Sequence, residues 1–261
     1  MLWFNDRLVD EASELVALPL SDRSFLLGEG VFETLLTLGG KAVALDRHLR
    51  RLTTGAQALG ISSPTLDAIA VGVTAVLQST PDISMGRMRI TLSGSSNLLI
   101  THQRYQEWSE PARLVTYPFP FNPKSPLQKI KSTSYGEYLL AFRYAQDRSA
   151  DDALLFNTND SVMEASTANI IALIGGHWVT PPLTAGPLPG ITRELLTEWG
   201  LLTEREIIFE ELQRCESIAL ISSLRSVQPV VEINGRGFKA SGKIEELATL
   251  YKSALASNLN P

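Results

Sequence analysis

Four stretches of this chain hold residue types that could do chemistry together. Lys131, between Ile130 and Ser132-Thr133-Ser134-Tyr135, offers an amine that can form a Schiff base with a carbonyl wherever its surroundings let it shed a proton. On its own segment, a solvated surface lysine is the commoner arrangement. Glu164 leads Ala165-Ser166-Thr167-Ala168-Asn169 into the apolar Ile170-Ile171. Glutamate is seldom buried unpaired, so either a cation such as a protonated ring nitrogen faces it or it sits on an exposed turn. Leu188-Pro189-Gly190-Ile191-Thr192-Arg193 puts a glycine, a hydroxyl and unpaired backbone N–H groups at a helix start. That suits an anion, with plain capping by Thr192 as the alternative. Arg51, in His48-Leu49-Arg50-Arg51-Leu52, can pair with a phosphate or simply be solvated.

Two further features carry less. Cys215, the single cysteine, lies in Gln213-Arg214-Cys215-Glu216, which has no nucleophile pattern. It reads as a partly buried small residue, and a lone cysteine cannot form an internal disulfide. Gly28-Glu29-Gly30 lacks the third glycine and the preceding strand of a dinucleotide-binding fingerprint.

The elements that must position these residues follow from periodicity and turn residues. Residues 31–38 are rich in β-branched and apolar residues and end at Gly39-Gly40, which predicts a strand and a turn. Asp46 is placed to cap a helix that continues to Leu59, and apolar spacing predicts a second helix over 65–77. Residues 88–92 and 98–101 read as paired strands about Ser93-Gly94-Ser95. Residues 117–126, Tyr-Pro-Phe-Pro-Phe-Asn-Pro-Lys-Ser-Pro, hold four prolines and can be neither helix nor central strand. They read as a semi-rigid linker between a smaller N-terminal domain (1–116) and a larger C-terminal one (127–261). Beyond it come a helix over 135–148, a strand over 153–156, and a strand pair over 162–174 and 178–179. A helix over 191–199, strands over 218–222 and 230–233, and a helix over 242–256 complete an α+β fold in two domains.

The bulk numbers narrow the function. The chain has 261 residues, 44% hydrophobic and 20% charged, which is ample for a core. A net charge of −5 argues against broad binding to nucleic acid or anionic membranes, so an anionic ligand must be caught by a local pocket. No apolar run approaches the ~20 residues that span a bilayer. The N-terminal residues show no secretory pattern, so a cytoplasmic location is expected.

In combination the weak signals become specific. Asp22-Arg23-Ser24-Phe25 with Gly28-Glu29-Gly30-Val31-Phe32-Glu33-Thr34, then His48-Leu49-Arg50-Arg51-Leu52, Lys131, Glu164 to Asn169 and Gly190-Ile191-Thr192-Arg193 occur in one order. That ordered set resembles the class IV aminotransferase family, the fold type IV pyridoxal phosphate enzymes. The family includes branched-chain aminotransferases, D-amino acid aminotransferases and 4-amino-4-deoxychorismate lyases. The resemblance implies two α/β domains, a homodimer and pyridoxal 5′-phosphate as cofactor, with no metal. It implies that Lys131 holds the cofactor as a Schiff base and shuttles protons at the substrate carbon, and that Glu164 pairs with the pyridine nitrogen. Arg51, Ile191, Thr192 and Ser223 fall at positions that hold the phosphate. Thr34, Arg89 and Arg225 are candidates for holding substrate, with structural ion pairs as the alternative for both arginines.

The chain departs from the transaminase patterns. Leu27 replaces a tyrosine, Ser93-Gly94 replaces an Arg-Gly, and Ser222-Ser223-Leu224-Arg225 stands where branched-chain enzymes have Gly-Thr-Ala-Ala. The last segment is similar to the Asn-Ser-Leu-Arg run of many lyases. The expected activity is therefore conversion of 4-amino-4-deoxychorismate to 4-aminobenzoate and pyruvate, for folate synthesis. The alternative is an aminotransferase using D- or branched-chain amino acids with a 2-oxo acid acceptor.

Overall fold

The computed structural model describes residues 1–10, 12, 15–239 and 241–261. The chain forms two compact units. The first holds Met1–Gln106, Ile130–Tyr135 and Asn258–Pro261; the second holds Glu107–Lys129 and Gly136–Ser257. The chain thus first passes between units at Gln106–Glu107, ahead of the proline run, and visits the first unit twice more.

The first unit contains β1 (Leu2–Phe4), β2 (Arg7–Val9), α1 (Arg23–Leu27), β3 (Gly30–Leu38), β4 (Lys41–Ala42), α2 (Leu45–Ala58), α3 (Leu66–Ser79), β5 (Met85–Ser93) and β6 (Leu98–Arg104). Its six strands pair antiparallel in the order β2-β1-β6-β5-β3-β4. Strand alternation sends Val31, Leu35, Met88, Ile90, Leu92 and Ile100 to one face, where they pack with Leu49 and Leu52 of α2 and Ile69, Val73 and Val76 of α3. Each such leucine, buried fully, contributes ~2 kcal/mol over exposure. Glu33 falls on this same face between Val31 and Leu35, so a carboxylate enters the core. Phe32, Thr34, Arg87, Arg89 and Thr91 occupy the opposite face by the same alternation.

Helix α2 begins differently from expectation. Asp46 lies inside the first turn, and the N-cap is Ala44, in the left-handed region (φ 52°) and with no side-chain cap bond. Thr65 does cap α3, accepting from the Ala68 N–H. Residues 130–135 run beside β3: the Phe32 N–H donates to the Lys131 carbonyl and the Thr133 N–H to the Gly30 carbonyl, both at 2.9 Å. A Cβ on Gly30 would lie 2.8 Å from Thr133 Oγ1 and 2.9 Å from the Leu92 carbonyl, so only glycine lets the Lys131 segment come this close.

The second unit comprises β7 (Ala112–Thr116), α4 (Gly136–Gln146), β8 (Asp152–Phe156), β9 (Val162–Ala165), β10 (Asn169–Ile174), β11 (His177–Thr180), α5 (Ile191–Glu198), β12 (Thr203–Glu204), α6 (Phe209–Arg214), β13 (Ser217–Ser222), β14 (Ser226–Ile233), β15 (Arg236–Gly237) and α7 (Gly242–Ser257). The sheet runs β12-β11-β10-β13-β14-β7-β8-β9, with β15 paired to β14. It is mixed: β7 lies parallel to both β14 and β8. Leu114, Leu154, Ile170, Ile218, Leu220 and Val230 form its core, and α4, α5 and α7 pack on β8, β13 and β14. The strand expected to run through 162–174 breaks at Ser166–Thr167–Ala168, because both hydroxyls turn to the buried carboxylate of Asp152. Among the described residues no helix is long and apolar enough to cross a membrane.

Candidate active site

In the first unit, Lys131 and Arg89 share one aromatic ring. Lys131 Nζ lies 4.7 Å from the centre of Phe32 and 5.6 Å from that of Tyr135, while the Arg89 guanidinium carbon stands 3.8 Å from the centre of Phe32. Tyr135 meets Phe32 edge-on at 5.3 Å. Thr34 pairs directly with Arg89 across β3 and β5. Arg89 donates from Nε to Thr91 Oγ1 at 3.2 Å, and among the described residues no carboxylate pairs with it. Lost solvent around its guanidinium lowers its pKa from the ordinary value, Arg87 adds to that, and the tyrosine opposes it. A cation held against a ring without a counter-charge is suited to take a carboxylate.

Arg51 has a partner within its own unit. Its Nε donates to Glu33 Oε1 at 2.7 Å and its Nη2 to Glu33 Oε2 at 2.6 Å. His48 Nδ1 lies 2.6 Å from the same Glu33 oxygen. His48 and Arg51 are three apart on α2, hence on one helix face, and α2 packs against β3, which carries Glu33. Burial alone would raise the Glu33 carboxyl; Arg51 and then His48 outweigh it and bring its pKa to about 2. Burial lowers the His48 pKa against the pull of Glu33, with Arg51 and Lys131 adding to the lowering. Glu33 is therefore an anion at neutral pH and His48 a neutral donor, and the carboxylate fixes the Arg51 fork in orientation.

In the second unit, Glu164 is 3% exposed. Tyr138 Oη donates to its Oε1 at 3.0 Å, and Asn169 Nδ2 and the Leu188 N–H each donate to its Oε2 at 3.1 Å. Asn169 Nδ2 also donates to the Leu188 carbonyl at 2.9 Å, so this one side chain ties the carboxylate to the loop that opens α5. Gly190 is the N-cap of α5 and supplies no side-chain acceptor. The first helical bond is that of the Glu194 N–H to the Gly190 carbonyl, so the N–H groups of Ile191 and Thr192 precede it. Thr192 Oγ1 shares a hydrogen bond with Tyr251 Oη at 3.1 Å, and the Thr192 backbone N–H is a donor at the helix end. Ser223 lies half-buried in the turn between β13 and β14.

Comparison with known proteins decides the family. Residues 30–233 match the model of the amino-transferase class IV family. The chain belongs to the class IV aminotransferases. It is 31% identical to a Schizosaccharomyces pombe protein described as "putative aminodeoxychorismate lyase", over 76% of this chain and 87% of that one. It is 25% identical to the bifunctional aminodeoxychorismate lyase / D-amino acid transaminase of Mycobacterium tuberculosis, over 91% of this chain and 93% of the other. Among solved structures, a Legionella pneumophila protein described in the same terms as the S. pombe one superposes with a TM-score of 0.86 at 26% identity, covering 94% of this chain and 97% of that one.

The class IV cofactor, pyridoxal 5′-phosphate, suits the donors that this chain presents. Within the second unit, the two N–H groups that open α5 suit a phosphate dianion; within the first, so does an arginine whose fork a buried anion orients. A pyridinium nitrogen matches a buried carboxylate already clamped by donors, which would be costly to bury otherwise. Glu33 and His48, which meet beside Arg51 in the first unit, and Tyr138, which donates to Glu164 in the second, do not stand out in the sequence. The usable signal for Glu33 is its place on the apolar face of a strand, with His48 and Arg51 following at helix spacing.

Arg225 has a different surrounding. Its Nη2 donates to Asp152 Oδ2 and to Thr167 Oγ1, each at 3.0 Å, its Nη1 pairs with Gln228, and its guanidinium stacks on Trp108 at 4.5 Å. Arg225 and Asp152 are 5% and 0% exposed, a buried ion pair that anchors the Ser166–Thr167 turn just after Glu164. Cys215 is partly buried and burial raises its thiol pKa to about 11, which removes it as a nucleophile.

Proposed function

We propose that the chain is a pyridoxal phosphate-dependent 4-amino-4-deoxychorismate lyase that releases 4-aminobenzoate and pyruvate. The observation that carries this reading is the placement of Arg89 beside Lys131 on the ring of Phe32. The substrate bears carboxylates and an amine on a ring carbon. Arg89, which pairs with no carboxylate among the described residues, binds one substrate carboxylate, with Thr34 beside it. Lys131 then lies where its amine can take the proton from the carbon that carries the nitrogen. The rings of Phe32 and Tyr135 flank that amine at 4.7 and 5.6 Å. Bound pyridoxal phosphate supplies the electron sink for the charge left on that carbon. Glu164 keeps the ring nitrogen protonated, and Arg51, Ile191, Thr192 and Ser223 hold the phosphate. Loss of the enolpyruvyl group then makes the ring aromatic.

The 31%-identical relative supports this reading. An aminotransferase acting on D- or branched-chain amino acids is the second reading, favoured by the bifunctional M. tuberculosis relative. The cofactor residues serve both, so Arg89 is the discriminating position. In Arg89→Gln the KM for aminodeoxychorismate rises by about tenfold or more while the cofactor stays bound; an unchanged KM removes Arg89 from the site. We take the working form to be a cytoplasmic homodimer. Phe25, Leu26 and Leu27 on α1 are 72%, 59% and 64% exposed, an apolar patch that a second copy would cover. Sedimentation as a monomer at micromolar concentration contradicts this.

A further inference from the structure

Helix α2 carries His48 and Arg51 in its first two turns, yet it has no cap of its own. Its N-cap is an alanine in the left-handed region, and no local side chain accepts from its first turn. A segment from the far end of the chain takes that part. Asn260 Oδ1 accepts from the Asp46 N–H at 3.1 Å, across 214 residues of sequence. The Leu259 carbonyl accepts from the Ala44 N–H at 2.6 Å, and the Pro261 carbonyl accepts from Arg47 Nε at 2.8 Å. The Asn260 N–H donates to Asn258 Oδ1 at 3.0 Å, which folds residues 258–260 into a turn and presents the amide oxygen to the helix. Residues 258–261 belong to the same compact unit as α2 and β3.

We propose that Asn260 is a positioning residue for the cofactor phosphate: by capping α2 it holds the turns from which His48 and Arg51 reach Glu33. Glu33 is fixed in β3 and fully buried, so the Arg51 fork is set from two sides, by the carboxylate it grips and by the helix that carries it. An uncapped first turn frays, since its N–H groups have no partner but water. Fraying at Asp46 and Arg47 shifts His48, the next residue, and then Arg51. The phosphate-binding donor is thereby tied to a side chain near the other end of the chain. This inference rests on the reading of Arg51 as a phosphate ligand, and the experiment separates the two.

The test is equilibrium binding of pyridoxal 5′-phosphate and of pyridoxal, which lacks the phosphate, to the apoprotein, followed by absorbance. Arg51→Ala is the reference and weakens only the phosphorylated ligand. Asn260→Ala weakens pyridoxal phosphate about fivefold, the size of a lost cap, and leaves pyridoxal unchanged. Asn260→Asp keeps an acceptor at the helix start, where negative charge is favourable, and restores the affinity. Equal weakening of both ligands in Asn260→Ala, or of neither, overturns the proposal and leaves Asn260 as a stabilising cap alone. Loss of the phosphate preference in no variant, Arg51→Ala included, overturns the reading of Arg51 and this inference with it.

Discussion

Arg51 grips Glu33 with two parallel hydrogen bonds, and this pair stands on the helix-covered face of the first sheet. A carboxylate so placed is tolerable only because a guanidinium and an imidazole meet it there. The arginine gains a fixed fork in return.

The pair has a pH signature. The Glu33 carboxyl lies at about 2 in the folded chain against an ordinary 4.5. A depressed folded pKa gives stability that is present above 4.5 and is lost as pH falls toward 2, at most ~3 kcal/mol. Urea unfolding of wild type and Glu33→Gln between pH 2 and 6 should show curves that diverge above pH 4.5 and approach one another below it. Parallel curves contradict the assignment.

Tyr138→Phe deletes one donor to the Glu164 carboxylate. A hydrogen bond to a charged group is worth ~1.5–3 kcal/mol, so the carboxylate becomes more basic and, on the proposed reading of Glu164, a ring nitrogen paired with it changes its proton affinity. The expected readout is a shifted absorbance titration of the bound cofactor, with turnover lowered about tenfold. An identical titration places Tyr138 outside the site.

Gly190→Ala should cost cofactor affinity. Its Cβ would lie 2.0 Å from Asn169 Oδ1, so Asn169 must leave the position from which it holds Glu164 and Leu188. Weakening of pyridoxal phosphate by about tenfold or more is expected from titration of the apoprotein, and native affinity would contradict this account of Asn169.

Arg225→Ala should act on stability. It strands Asp152 as an unpaired buried charge at a cost of ~3–5 kcal/mol, and the double change Arg225→Met with Asp152→Leu recovers most of it. Denaturant midpoints measure both. A stable Arg225→Ala whose only defect is a raised KM returns Arg225 to the substrate site.

Much of the architecture is legible from local pattern. The β-branched and apolar run that predicts a strand over 31–38 and the apolar spacing behind the helix over 65–77 are close to β3 and α3 as observed. Elements too short for a period, β1, β2 and α1, escape such reading, as does β7, which reaches its partners only through the tertiary fold. The break at Ser166–Ala168 depends on Asp152, and the start of α2 depends on Asn260 rather than on Asp46; neither partner is a neighbour in sequence. The same holds for function. Lys131 and Glu164 stand out once the ordered motifs are joined, whereas the setting of Arg225 turns on partners as distant as Trp108.

The most direct measurement of the central claim is 4-aminobenzoate formation from enzymatically generated aminodeoxychorismate, with pyridoxal phosphate added and no 2-oxo acid. The account predicts product at a useful rate from the wild type and none from Lys131→Ala, which also loses its borohydride-trapped adduct. A yellow, borohydride-sensitive protein that forms 4-aminobenzoate at no measurable rate, yet turns over D- or branched-chain amino acids once an oxo acid is supplied, would contradict the lyase assignment.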